Sequence, residues 1–180
     1  MSSAFTLFDT TIGRCGIAWS NRGVIGVQLP ETDGEARTRA RVLRRLADAR
    51  EAAPPPEVQE AIGRIVDLLR GEASDLSTVA LDMDGVPEFN RRVYEVARTI
   101  PAGETLTYGE VADRLGDRGA ARDVGRALAQ NPFALIVPCH RVLAAGGGIG
   151  GFSAPGGITT KRRLLMIEDG WKSTPLFRSL

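Results

Sequence analysis

Histidine occurs once in these 180 residues and cysteine twice, so a four-ligand Cys/His zinc site is hard to build within one chain. The cysteines, Cys15 and Cys139, share no metal-ligand spacing, and neither a metal nor a cofactor is expected. The chain also lacks any apolar run near the roughly 20 residues that span a bilayer, so no membrane contact is expected. Its start, MSSAFTLFDTT, has neither the basic opening nor the apolar core of an export signal. A reducing cytoplasm, where Cys139 stays a free thiol, is the compartment these absences point to. A surplus of either charge is missing as well, with 23 Lys+Arg against 22 Asp+Glu for a net charge of +1. That balance argues against a strongly electrostatic nucleic-acid binder. The charge is uneven, however. Residues 1–85 carry 10 basic and 13 acidic groups, net −3, whereas residues 86–180 carry 13 and 9, net +4. A random fluctuation around neutrality explains the split as well as DNA contact by the second half does.

What is present reads as an ordinary globular chain, long enough for one large domain or two small ones. Phe5 and Leu7, then Ile17 and Trp19, alternate with a period of two, and Asn21-Arg22-Gly23 breaks the chain before VIGVQL. This predicts a three-stranded antiparallel meander. An amphipathic helix is expected over residues 35–52, and Ala53-Pro54-Pro55-Pro56 opens a second, with Val58, Ile62, Ile65 and Leu69 on one face and Gly71 as its stop. VALDM (79–83) reads as one more strand. Gly85-Val86-Pro87 is the candidate boundary, which divides the chain into residues 1–85, an α/β domain, and residues 86–180, a mainly helical one.

In the second part Phe89, Val93, Val96 and Ile100 share a helix face. Thr107 to Glu110 has the Ser/Thr-x-x-Glu form of a capping box and starts a short helix that ends at Gly116. After Asp117-Arg118-Gly119 a second helix runs through AARDVGRALAQ, so the pair reads as a helix-turn-helix or as an ordinary helical hairpin. Its small residues Ala120, Ala121, Gly125 and Ala127, with Arg122 and Arg126 projecting, favour a helix that lies close to a groove. FALIVP (133–138) reads as a short buried strand. A Gly-rich loop, Gly146 to Gly151, follows, and Thr159 or Thr160 caps a last helix that Gly170 ends.

Cys15 has no base near it in sequence and reads as an inert core thiol. Cys139 follows Pro138 and precedes the chain's single histidine, His140, with Arg141 next. A thiol becomes a nucleophile when a base or a positive charge assists its ionisation. Adjacent residues of an extended chain face opposite ways, so His140 would act on Cys139 directly only if the backbone bends, or otherwise through a water. Glu168 is a candidate for the third group that holds the imidazole.

Pro138-Cys139-His140-Arg141-Val142 resembles the active-site signature of the 6-O-alkylguanine-DNA alkyltransferases. Ile100-Pro101-x-Gly103-x-Thr105-x-Thr107-Tyr108, Ala120-Ala121-Arg122-x-Val124-Gly125, Asn131-Pro132, Gly150-x-Phe152-Ser153 and Lys161-x-x-Leu164-Leu165-x-x-Glu168 follow in family order. The resemblance spans about residues 79–170. It implies a ribonuclease-H-like N-terminal domain and a winged-helix-like C-terminal domain containing the helix-turn-helix. It further implies single-turnover, irreversible transfer of an alkyl group to Cys139 from the 6-oxygen of guanine, with the 4-oxygen of thymine as a further candidate. The partner implied is double-stranded DNA carrying alkylated guanine, bound through its minor groove by a monomer.

By the same resemblance Arg122 fills the gap left by the rotated base, with Ala120, Ala121 and Gly125 on the DNA side. Tyr108 donates to guanine N3, while Ser153 and nearby amides, beside Phe152, receive the 6-oxygen. Asn131 braces the turn before the active-site strand, and Cys139, His140, a water and Glu168 form the thiolate-generating relay. Arg141 is grouped with the substrate side, though its part is more structural than catalytic. Tyr94, Asn90 and Phe152 stand where Trp, Gln and Tyr are common in the family. The N-terminal zinc ligands of some members are absent. A non-enzymatic damage-binding protein of the same architecture is the alternative, and an ordinary cysteine hydrolase a more distant one.

Overall fold

The computed structural model describes residues 2–169; the helix stop expected at Gly170 lies outside them. Three strands form the expected antiparallel meander: β1 (Ala4–Thr10), β2 (Gly13–Ser20) and β3 (Gly23–Gln28). Gly23 turns the corner at φ +144°, and a Cβ there would stand 2.6 Å from the Ala80 carbonyl oxygen, so glycine lets two backbones touch. Alternation along β2 sends Cys15, Ile17 and Trp19 into the main core, while Ala18 on the other face joins Phe5, Val42 and Ala49 in a smaller cluster. The smaller cluster is roofed by α1 (Glu35–Arg45) and the main core by α2 (Pro56–Leu69), which buries Val58, Ile62, Ile65 and Leu69.

The helix expected over residues 35–52 is shorter, because the chain turns after Arg45 and returns as β4 (Arg50–Glu51), parallel to β1. Pairing satisfies backbone groups on the open edge of β1, with Arg50 N–H bonded to Ser3 and Ala52 N–H to Phe5. The sheet is therefore mixed, in the order β3-β2-β1-β4. VALDM forms no strand beyond a single bridge from Leu81 to Val24. The outer edge of β3 is shared: Ala80 and Asp82 bond to Val24, and Pro132 accepts from the Val27 N–H. Each segment stops at a single bridge to β3.

The second half contains α3 (Glu88–Arg98), β5 (Leu106–Thr107), α4 (Tyr108–Arg114), α5 (Ala121–Ala129), β6 (Val142–Leu143) and α6 (Gly157–Asp169), with β5 and β6 parallel. The capping box is formed: Thr107 Oγ1 accepts from the Glu110 N–H at 3.1 Å and Glu110 Oε2 from the Thr107 N–H at 2.6 Å. The last helix starts at Gly157, ahead of both threonines, and Thr160 Oγ1 donates to the Pro155 carbonyl instead of capping. One hydrophobic core runs through both halves, from Ile17, Trp19 and Ile65 to Val93, Phe133 and Leu164. No helix among the described residues is long and apolar enough to cross a membrane.

FALIVP is buried as expected but is not a strand. It doubles back, with Val137 N–H bonded to the Phe133 carbonyl and Ile136 N–H to that of Ala134, and Leu135 adopts φ +71°. An apolar run of this length looks the same in either conformation, and its pairing with β3 stops at a single bridge from Phe133 to Val27. A left-handed leucine costs on the order of 1–3 kcal/mol and persists only where its surroundings enforce it. Asn131 supplies that enforcement, since its Oδ1 accepts from the Phe133 N–H and its Nδ2 donates to the Val137 carbonyl, both at 2.9 Å.

Candidate active site

Cys139 opens a 3-10 turn, Cys139–Arg141, rather than closing a strand. The turn puts its thiol, half-buried, at the wall of a pocket of about 300 Å³ that Tyr108, Gly125, Leu128, Gly151, Phe152 and Ser153 also line. Burial pushes the Cys139 thiol above its ordinary range, opposed by the Asn131 amide, the Lys161 ammonium and the backbone N–H groups of Cys139 and His140. The resting sulfur therefore holds its proton near neutral pH, and any reaction as a nucleophile needs a base. Cys15 is fully buried, and burial raises it to about 12 despite a contact with Thr10, so it stays inert.

Behind the turn lies a buried hydrogen-bonded cluster of His140, Glu168 and Arg141. His140 Nε2 and Glu168 Oε1 are 2.7 Å apart, and the same carboxylate accepts from Arg141 through Nε at 2.9 Å and Nη2 at 2.9 Å. Burial alone would raise the Glu168 carboxyl; the His140 ring and the Arg141 guanidinium outweigh it and hold the group at about 2. An ionised carboxylate only accepts hydrogen bonds, so His140 must donate from Nε2, which leaves Nδ1 with a free lone pair in the neutral ring. Among the described residues, no hydrogen bond joins the His140 imidazole directly to the Cys139 thiol. Arg141 is buried and its third nitrogen, Nη1, donates to the Ile100 carbonyl at 2.6 Å, so it faces inward rather than toward a substrate.

Lys161 is a functional candidate that the sequence reading passed over. It is fully buried, and its Nζ donates to the carbonyls of Val142 at 2.6 Å and Gly151 at 3.1 Å while lying 5.8 Å from the Tyr108 ring centre. Burial draws it down to about 8, with Cys139 opposing. Composition carried a signal: of the 23 basic residues 21 are arginine, so one of two lysines marks a place where a compact ammonium is needed. Lys161→Met is expected to slow alkylation of Cys139 by iodoacetamide severalfold at neutral pH, because the ammonium that opposes the burial-driven rise of the thiol is gone. The pH profile of that reaction should move upward, and an unmoved profile would leave Lys161 a purely structural role.

The pocket lies against α4 and α5, two short helices joined by a tight turn. The Tyr108 ring packs on Gly150, where a Cβ would come within 2.8 Å of the phenol oxygen, and on Gly125. Burial, then Cys139, hold the Tyr108 phenol above its ordinary range against the Gly151 amide, so it remains a donor. Ser153 is exposed and its hydroxyl donates to the Ala129 carbonyl at 2.9 Å. Arg122 and Arg126 are exposed on α5, the latter paired with Asp123 at 3.1 Å. The small residues divide, however: Ala120 and Ala127 turn into the core, and only Ala121 and Gly125 are half-exposed. A larger cavity of about 820 Å³ lies behind Pro138 and Arg141 and does not reach Cys139.

Residues 88–170 match the family described as 6-O-methylguanine DNA methyltransferase, DNA binding domain. A methylated-DNA–protein-cysteine methyltransferase of Methanothermobacter thermautotrophicus is 36% identical over 153 residues, 85% of this chain and 78% of that one. The chain belongs to the methylated-DNA–protein-cysteine methyltransferase family. The Mycobacterium tuberculosis (H37Rv) methyltransferase is 45% identical to this alkyltransferase over 114 residues, 63% of this chain and 67% of that one. A crystal structure of Mycobacterium tuberculosis OGT in complex with DNA matches with a TM-score of 0.75 at 33% identity, covering 93% of this chain and 94% of that one. The pairing of an α/β half on a small mixed sheet with a helical half is thus the arrangement of alkyltransferase structures.

Proposed function

We propose that this alkyltransferase, a DNA-repair enzyme by family, accepts the alkyl group on Cys139 itself, once per chain. The substrate atom is the 6-oxygen of a guanine rotated out of the duplex, with the 4-oxygen of thymine as a second candidate. The observation that carries the reading is the thiol at the pocket wall with the buried Glu168–His140 pair behind it. The Cys139 proton passes through a water to His140 Nδ1, and Glu168 stabilises the resulting cation. The sulfur then attacks the alkyl carbon, the carbon–oxygen bond breaks, and its electrons return to the guanine ring. Tyr108 donates to N3 and neutralises the leaving base, while Ser153 and the amides beside Phe152 receive the 6-oxygen. Asn131 holds the folded-back loop that delivers Cys139, and Arg141 orients Glu168.

DNA lies with its minor groove on α5, Ala121 and Gly125 allow the approach, and Arg122 fills the vacated stack. Residues 1–85 act as a ribonuclease-H-like support and residues 86–180 as a winged-helix-like domain for binding and chemistry. The protein works as a monomer in the cytoplasm. The damage-binding alternative is disfavoured by the presence of Cys139 itself.

Intact-mass measurement after incubation with 6-O-methylguanine DNA tests the reading, with one added CH2 per chain expected and no further gain with excess substrate. Arg122→Ala is expected to slow repair of duplex DNA by at least about tenfold, since unstacking costs a few kcal/mol. Transfer from the free alkylated base has no stack to refill and should suffer much less. Equal losses on both substrates would give Arg122 another role.

A further inference from the structure

The Cys139 pocket does not end at Ser153. Beyond Cys139, Phe152 and Ser153 it opens into a second cleft of about 350 Å³ whose far wall is α1, through Arg41, Arg44 and Arg45. Arg41 is paired with Glu31 at 3.0 Å. Arg44 and Arg45 are exposed and make no hydrogen bond or ion pair among the described residues. In this half, whose net charge is −3, Arg14, Arg22, Arg37, Arg39 and Arg64 each lie on a carboxylate; Arg50 and Arg70 do not among the described residues, but neither of these lines the cleft. Partial burial and then the like charge of Arg41 lower the Arg45 guanidinium, with Tyr94 opposing. Two guanidiniums with no ion pair among the described residues thus line the cleft beside Arg41, at the mouth of the reacting site.

We propose that Arg44 and Arg45 form a second DNA contact, contributed by the N-terminal half, which holds a backbone phosphate of the strand carrying the damaged base. The inference rests on the extruded-base reading: a nucleotide whose base occupies the Cys139 pocket brings its own phosphates to that pocket's mouth. Guanidinium groups match phosphate oxygens in charge and in paired hydrogen-bond geometry, and such a contact releases counterions from the DNA. The acidic half of the protein then takes part in DNA binding, which its net charge conceals.

The test compares wild type with Arg44→Ala/Arg45→Ala, Arg44→Glu/Arg45→Glu and Arg44→Lys/Arg45→Lys. Affinity for a 6-O-methylguanine duplex is measured across a salt series, and transfer is also measured from the free alkylated base, which carries no phosphate. The double alanine variant should bind the duplex about tenfold more weakly near 0.1 M salt, and the slope of log affinity against log salt should fall by about one to two. The glutamate variant should lose more, the lysine variant should recover most of the binding, and all should melt with wild type. Unchanged affinity and slope in the alanine and glutamate variants overturn the proposal. So does a loss at constant slope, or one equally large with the free base. A wild-type chain that gains no mass from either substrate overturns the proposed function itself, whereas normal wild-type transfer with unaffected variants overturns this contact alone.

Discussion

Cys139→Ala is expected to give a folded protein that gains no mass from alkylated DNA under conditions where the wild type is fully converted. The loss should be complete because no other side chain can substitute. Cys15 is fully buried in the N-terminal core and its thiol is held at about 12, so it is neither reachable nor ionised. His140 is buried with Nε2 committed to Glu168. Binding to the damaged duplex should stay within about threefold, because a thiol is a weak hydrogen-bond partner and the groups of α5 proposed to meet the DNA are untouched. The wild-type product should be permanent, since a thioether offers no acyl carbon for water to attack and His140 has no route to expel an alkyl group. Any transfer in the variant, or a label found at Cys15, would reassign the acceptor; repeated turnover by the wild type would remove the single-use mechanism.

The legible parts of this molecule were those whose signal is local. The capping box at Thr107 and Glu110 is a four-residue interaction, and both of its hydrogen bonds are formed. The meander was visible because the alternation that Ile17 and Trp19 show reflects a sheet with different cores on its two faces. Pro138-Cys139-His140-Arg141 stood out by chemistry alone. The backbone that presents it did not, because Phe133, Leu135, Ile136 and Val137 are equally apolar as a strand or as a doubled-back loop, and only the Asn131 clamp decides. The small residues of α5 pointed two ways for a similar reason: Ala120 and Ala127 serve close packing inside, whereas Ala121 and Gly125 remain partly open. Glu168, a candidate from sequence, and Lys161, marked by the scarcity of lysine, reach the site only through the docking of α6, a tertiary event that their sequence separation from Cys139 does not show. Arg44 and Arg45 were hidden among many arginines of α1, since sequence does not say which of them find carboxylates.

The largest stability effect is expected at Glu168. Its side chain is 4% exposed and receives one hydrogen bond from His140 and two from Arg141, whose own side chain is 8% exposed. Removing the carboxylate in Glu168→Ala leaves a buried guanidinium with only the Ile100 carbonyl as partner, and breaking a buried pair in this way costs about 3–5 kcal/mol. For a chain of this size the melting temperature should fall by about 6–20 °C. Glu168→Gln preserves the volume but offers one acceptor oxygen and turns an NH2 toward donors, so it should lie between alanine and wild type. The pH dependence identifies the cause. Glu168 is held at about 2 against an ordinary 4.5, so its contribution, on the order of 3 kcal/mol, is fully present above pH 4.5 and is lost as the pH falls through about 2. Wild-type stability should therefore decline across that window, and both variants should show a shallower decline. Loss of the carboxylate also frees the His140 ring to take either tautomer, so alkyl transfer by Glu168→Gln should slow by about a hundredfold or more, the usual range for a misdirected general base. A variant that melts within about 2 °C of wild type, less than 1 kcal/mol for this chain length, would show that the relay bears little of the fold's stability. One that melts lower but transfers at the wild-type rate would separate the fold's use of Glu168 from the chemistry and leave Cys139 to be activated by Asn131, Lys161 and the backbone alone.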